Sequence, residues 1–551
     1  MALHISASFM NRRSFLQTGG AAALLAALPA SARAATGRAQ IVLLRNQLRD
    51  FTPQRAERQA LAMAAIDAAR TSGAVYADVQ LRISEFEFWL GVSPSVVFGA
   101  AAGVRALVNG YWGFAAFDGM PSVDDMARIG KESVKQAATG ARGAPRTVEL
   151  APTPVVHDGD WTAPIDVDPF TVSLDEKADW FTDLIDYTNM QTLGIGADGA
   201  MNFLREDRTY ASTDGSYLTQ RLYTTTSSLT VAAEPHYSTE AEGRMPLQVG
   251  PAQGGWECLK QYPYRDEIPA IIEHAQRARV SKAADVGRWD VVFDAEAMAG
   301  ILNATIAPAT QLDRAVGYRA NGEGTSYLNQ PLEMLGTLRV AAPSVNIRAA
   351  GSMRGGAATV QWDNEGVAPT DAHLVTNGML TDFQTTRESA TWIAEYTAKT
   401  GKPVQSNGGA ACNAATMPST TGMANMILEP GHTSETFESL VRGTKKGLAV
   451  IGGRIEADQQ CLNGAGQGQI VYEIVDGKLT TAIRGMSYLF RAPEFWKNVV
   501  ALGGAASVRT IGLTEWPKIT RGLTYTGTSS SIQSVPAKVK EIAILDTIPR
   551  S

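Results

Sequence analysis

Asn109-Gly110 sits between two runs that alternate apolar and polar residues, GVRALV and YWGFAAF, and this pair narrows the fold more than any other local feature. Both residues tolerate positive φ, so the two runs turn back on each other as a tight antiparallel hairpin. NGMLTDF and QIVYEIVDGKLTTAI repeat the signature with glycine at the turn, and KVKEIAIL reads as another ladder strand. VYADVQLRISEFEFWLG alternates with period two, and RTYASTDGSYLTQRLYTTTSSLTVAA gives Thr-rich antiparallel segments.

Helices are interleaved with these strands. RAERQALAMAAIDAARTSG carries apolar residues at helical spacing and stops at Gly73, while DDMARIGKESVKQAATGAR closes the first unit. A Pro-rich linker and an acidic helix open the next stretch, and DEIPAIIEHAQRAR precedes a second β-rich region. The expected fold class is α+β: a helix-and-sheet layer over 50–150, a central domain over 151–280, and a large, mostly antiparallel β-rich domain over 285–551. With 551 residues, 44% hydrophobic and 19% charged, the chain can bury a large core. Its net charge of −6 gives no basic surface for nucleic acid or anionic lipid, so neither is expected as a partner.

At the N-terminus, Arg12-Arg13 precedes a moderately apolar run, QTGGAAALLAALPASARA, ending in a small-residue site at Ala32-Arg33-Ala34. This is the order of a Tat export signal over residues 1–34. The apolar run is too short for an ordinary membrane span, so cleavage is expected to leave a periplasmic protein with no membrane attachment. Cys258, Cys412 and Cys461 are widely spaced, and read as buried thiols. His157, His236, His274, His373 and His432 are scattered, with no pair at ligand spacing. GAGQGQ from Gly464 precedes a strand rather than opening a helix, which makes it a tight turn or a close backbone crossing instead of a phosphate loop.

VVFDAEAMAGILNATIAPATQLD, Val291 to Asp313, reads as a short strand, a turn and an apolar helix. Met298, Ile301, Leu302, Thr305 and Ile306 fall on one stripe, and Pro308 is expected to end or kink the helix.

Several segments, in order, resemble the TldD/PmbA family, also called modulators of DNA gyrase, which includes metallopeptidases. They are YADVQLR and GVRALVNGYWGFAAF, then WDNEGVAPTDAHLVTNGMLTDFQTTRESA, MANMILEPG and YEIVDGKLTTAIRG. In the active members the resemblance implies zinc held by an H-E-x-x-x-H helix and a C-terminal cysteine, with the glutamate as base. It puts Asn303, Ala304 and Pro308 at the His, Glu and His positions and Thr528 at the cysteine. No catalytic residue, metal or cofactor is therefore expected, since a carboxamide and a hydroxyl hold a hard cation or water only weakly.

SNGGAACNAATMPSTTGMANM occupies the place of a G-N-G-R-R-type stretch, with Gly409 and Ala410 where the family has arginines. It reads equally as an ordered surface loop or as a cleft wall lined by Asn407, Gly408 and Asn425. The resemblance implies a non-catalytic subunit that binds peptide or completes the chamber of a peptidase complex, as a homodimer or with another TldD/PmbA chain. The second reading is an active peptidase working through a site not visible in these motifs.

Overall fold

The computed structural model describes residues 53–142, 147–233, 244–515 and 528–547. The export signal expected at 1–34, with Arg12 and Arg13, lies outside them, as does the side chain of Thr528.

Helix α1 (Arg55–Thr71) leads into strands β1 (Tyr76–Leu90), β2 (Ser93–Val108) and β3 (Tyr111–Asp118). The β2–β3 turn is the expected one, with Asn109 at φ 51° and Gly110 at φ 79°. After helix α2 (Val123–Gly140) come β4 (Gly159–Thr162), helix α3 (Leu174–Asn189), β5 (Gly196–Ser212), β6 (Tyr217–Ala232) and β7 (Arg244–Ala252). These strands form one seven-stranded sheet in the order β3-β2-β1-β5-β6-β4, with β7 also on β6. The segments 50–150 and 151–280, expected as separate units, thus share a sheet. The physical reason is the antiparallel pairing of β1 with β5, which runs from Asp78↔Ser212 to Leu90↔Ala200 and has no local sequence signature.

Helices α1 and α2 cover one face of this sheet. Leu61, Ala62, Ala65 and Ile66 of α1 and Met126 and Ile129 of α2 pack on Ala77, Val79 and Leu81 of β1. The helices cross closely, because a Cβ on Gly130 would lie 2.5 Å from the Ala65 carbonyl oxygen. Odd-numbered residues of β1 from 77 to 81 therefore meet the helices, and Asp78, Gln80 and Arg82 point to the opposite face. Farther along β1, α3 sends Lys177 into the core, where its Nζ lies 2.7 Å from Glu87 Oε1 with both side chains fully buried.

The C-terminal half has two larger sheets, one of ten strands and one of six among the described residues. Helix α4 (Tyr264–Ala278) precedes strand β8 (Gly287–Phe293), which leads into helix α5 (Ala295–Ala304). Asp294 caps α5 by accepting from Ala297 N at 2.8 Å and from Gly452 N at 3.0 Å. Met298, Ile301, Leu302, Thr305 and Ile306 are all fully buried, and α5 packs on strands of both sheets. The helix ends at Ala304: Thr305 leaves helical geometry at φ −119° and ψ −83°, and Ile306–Ala309 forms a separate turn. Pro308 has no N–H to return to the Ala304 carbonyl, which removes the bond that would carry the helix onward. GAGQGQ is mostly strand, not turn. A Cβ on Gly464 or Gly466 would meet the Phe490 or Tyr488 ring at 2.2 Å, so the glycines let aromatic rings lie on the backbone.

Candidate functional site

The polar face of β1, β5 and β6 is largely covered. Over it lie the turn around Asp363-Asn364-Glu365 and the loop after Thr385. Gln80 Nε2 donates to the Asn364 carbonyl at 2.9 Å, Gln220 Nε2 to the Trp362 carbonyl at 2.7 Å, and Tyr210 Oη to the Glu365 carbonyl at 3.0 Å. Buried Arg105 joins Asp78 by two hydrogen bonds and donates through Nη1 to Glu365 Oε1 at 3.0 Å. The other Glu365 oxygen accepts from Arg387 N at 2.6 Å. This network is closed, which is what a buried set of charges requires. Arg105 also stacks over the Trp112 ring with its guanidinium carbon 4.6 Å from the centroid.

Beside this clamp lies a partly open cavity of about 140 Å³. Its charged lining is Arg82 from β1, Glu206 and Arg208 from β5, and Asp363. Arg82 and Arg208 are register partners across β1 and β5. Arg208 Nη2 donates to Glu206 Oε2 at 2.6 Å, and Arg82 Nη1 stands 4.0 Å from Glu206 Oε1. Burial works to raise the Glu206 pKa, but the charges of Arg208 and Arg82 outweigh it and hold this carboxyl below its usual value. Burial pushes the Arg208 guanidinium down, partly offset by Glu206 and reinforced by Arg82.

Asp363 accepts from the backbone N–H groups of Glu365, Val367 and Ala410 at 2.8, 2.9 and 3.0 Å, tying the turn to the loop. Burial, with the neighbouring Glu365 charge, moves its carboxyl upward. With the Asn364 amide oriented to satisfy both neighbours, its oxygen accepts from Arg82 Nη2 at 2.9 Å and from Cys412 N at 2.8 Å. Cys412 is a buried free thiol 3.1 Å from Arg82 Nη2, Cys461 is likewise buried, and Cys258 is half-buried.

The three expected cleft residues, Asn407, Gly408 and Asn425, line this cavity. Each also holds backbone in place. Asn407 bridges Thr385 N and the Phe383 carbonyl at 2.8 and 2.7 Å, and Asn425 Oδ1 accepts from Ala358 N and Ser531 N at 3.0 and 2.9 Å. Gly408 has φ +77°, and a Cβ there would lie 2.5 Å from Pro369 Cα.

Asn303, Ala304 and Pro308 are half-buried at the end of α5 and beyond it, outside the cavity lining, and Thr528 starts the strand Thr528–Ser534. These positions offer a carboxamide, a methyl group and a pyrrolidine ring, a donor set that does not fit the zinc implied by the family resemblance. Among the described residues, no group of three or more His, Cys, Asp or Glu side chains could hold a metal. The segment after α5 reaches the cavity through Gln384, a lining residue whose Nε2 donates to the Ala307 carbonyl at 2.7 Å and to Thr310 Oγ1 at 3.0 Å.

Sequence reasoning did not single out Arg82, Glu206, Arg208 or Asp363. The available signal was polar residues at 78, 80 and 82 alternating with the helix-facing 77, 79 and 81, a face that reads as solvated until a distant segment covers it.

Residues 286–542 match the family described as PmbA/TldA metallopeptidase C-terminal domain. The chain is 22% identical over 453 residues to a protein named metalloprotease from Methanothermobacter thermautotrophicus, covering 78% of this chain and 88% of that one. Its fold is similar to TldE from Thermococcus kodakarensis, with TM-score 0.63 and 14% identity, covering 88% of this chain and 99% of that one. It is also similar to a putative modulator of a DNA gyrase from Thermotoga maritima, with TM-score 0.64 and 12% identity, covering 89% and 100%. Taken with the sheet architecture and the ordered motifs, these matches establish that the chain belongs to the TldD/PmbA family.

Proposed function

We propose that this chain is a non-catalytic TldD/PmbA subunit that binds peptide and completes the chamber of a peptidase complex, as a homodimer or beside a family member that keeps the zinc ligands. One observation carries the reading: a charged cavity with fixed walls occurs in a chain whose counterpart positions to the zinc ligands hold no zinc-binding side chain. The cavity walls include Ala349, Ala350 and the small residues of loop 407–413, which leave room for the main chain of a peptide. The segment after α5 is retained in this reading as wall support, through Gln384.

The mature protein is expected to purify without stoichiometric zinc and without chelator-sensitive peptidase activity, and Asn303→His is expected to create neither. Zinc that survives dialysis at near one equivalent, with activity lost on chelation, overturns this reading. Metal analysis and a peptide-hydrolysis assay on the same sample decide it.

We further propose Tat-dependent export to the periplasm. Replacing Arg12 and Arg13 by Lys should leave uncleaved precursor in the cytoplasm, as fractionation and immunoblotting would report; undiminished periplasmic protein would argue against Tat. A chain with no metal to load has no evident need to fold before export on that account. Co-export of a folded assembly gives the signal a purpose, and native mass of the periplasmic protein tests it.

A further inference from the structure

We infer that the cavity is a carboxylate-binding subsite for the C-terminal end of a peptide, with Arg82 and Arg208 as its cationic pair; the inference rests on the peptide-binding reading and names the end that is held. Like charges placed directly opposite on neighbouring strands destabilise a sheet, yet these two arginines are register partners. The carboxylate they share is Glu206, bonded to Arg208 at 2.6 Å and 4.0 Å from Arg82. Asp363 does not complete the neutralisation. Its oxygens are taken up by three backbone N–H groups, and among the described residues it forms no ion pair with either arginine. The side-chain arrangement around the two guanidiniums therefore favours one further negative charge.

Hydrogen bonding points the same way. Arg208 Nε is buried and has no hydrogen-bond partner, although such a donor normally finds one. A guanidinium presents its donors in a plane that matches the two oxygens of a carboxylate. The cavity, at about 140 Å³ against the ~10–15 Å³ that one water needs on the same measure, admits a terminal carboxylate with part of its residue. Ala349, Ala350, Ala357 and Ala410 leave room for a main chain, and Leu222 and Val360 offer an apolar wall to the last side chain. A monoanion suits this balance better than a dianion, because Glu206 already supplies one negative charge to the two arginines.

The test is calorimetric titration of the intact mature protein with Ala-Leu-Ala as free acid and as C-terminal amide, with sodium acetate and inorganic phosphate as competitors. The acid should bind at least roughly tenfold more tightly than the amide, the range expected for losing a charge-assisted pair of hydrogen bonds. Arg208→Gln should erase that difference, and Arg208→Lys should restore part of it, with circular dichroism showing that each variant is folded. Acetate should displace the acid at lower concentration than phosphate. Equal binding of acid and amide overturns the carboxylate subsite and leaves peptide binding standing. Binding of neither peptide removes the peptide-binding reading and this inference with it, and stronger competition by phosphate overturns the assignment to a peptide terminus. The acid-amide comparison needs no variant, so a misfolded mutant does not block the test.

Discussion

Ile301→Asp is expected to yield no stably folded C-terminal half. Ile301 is fully buried on α5, among residues that join both C-terminal sheets into one core. Losing a buried aliphatic side chain costs about 2–5 kcal/mol. A carboxyl group held there must either remain charged in an apolar site or be neutralised by a pKa rise of roughly 3 units, about 4 kcal/mol at neutral pH. The sum, roughly 6–9 kcal/mol, is comparable to the about 5–15 kcal/mol that holds a folded domain together. Ile301→Val keeps the stripe apolar and should cost only about 0.5–1.5 kcal/mol. Soluble yield and denaturant unfolding of the two variants measure the contrast. A soluble, cooperatively unfolding Ile301→Asp protein would show that α5 is dispensable as architecture.

Glu365→Ala should be the second most damaging change, and it should act on the cavity as well as on stability. Glu365 receives Arg105 Nη1 at 3.0 Å and Arg387 N at 2.6 Å, linking the polar face of the first sheet to the segment that walls the cavity. Removing one member of a buried charged set destabilises by about 3–5 kcal/mol, because the remaining charge is stranded. Here Arg105 keeps its two bonds to Asp78, so the lower end of that range applies. The midpoint of denaturant unfolding should fall accordingly. Peptide binding should weaken, since Asp363 and Asn364 precede Glu365 in the same turn. An unchanged midpoint would mean that the clamp contributes nothing to holding the turn in place.

The parts of this fold that were legible in the sequence are those fixed by neighbours along the chain. The Asn109-Gly110 turn, the Asp476-Gly477 turn and the helix ending at Thr71 follow from positive-φ residues and from the period of apolar positions. The buried stripe on α5 was legible for the same reason, and Pro308 pointed to a break that falls at Thr305. The β1–β5 pairing joins segments whose partners, Asp78 and Ser212, are far apart in the chain, and nothing local encodes it. The charged cavity stayed hidden for a related reason. Gln80 and Asn364, which bring the turn onto β1, are 284 positions apart, so the residues between looked like the wet side of an ordinary sheet. Asn407, Gly408 and Asn425 were singled out by their place in the family pattern, whereas their hydrogen bonds and close contacts are visible only in three dimensions.

The central question is whether this chain binds peptide without cutting it. The most direct measurement is mass spectrometry of a defined mixture of short peptides incubated with the purified mature protein and added zinc, with and without a chelator, followed by separation of bound from free material. Every peptide should be recovered intact, with a subset carrying free C-termini retained in the bound fraction whether or not the chelator is present. Fragments that appear with the protein and vanish with the chelator would contradict binding without cleavage.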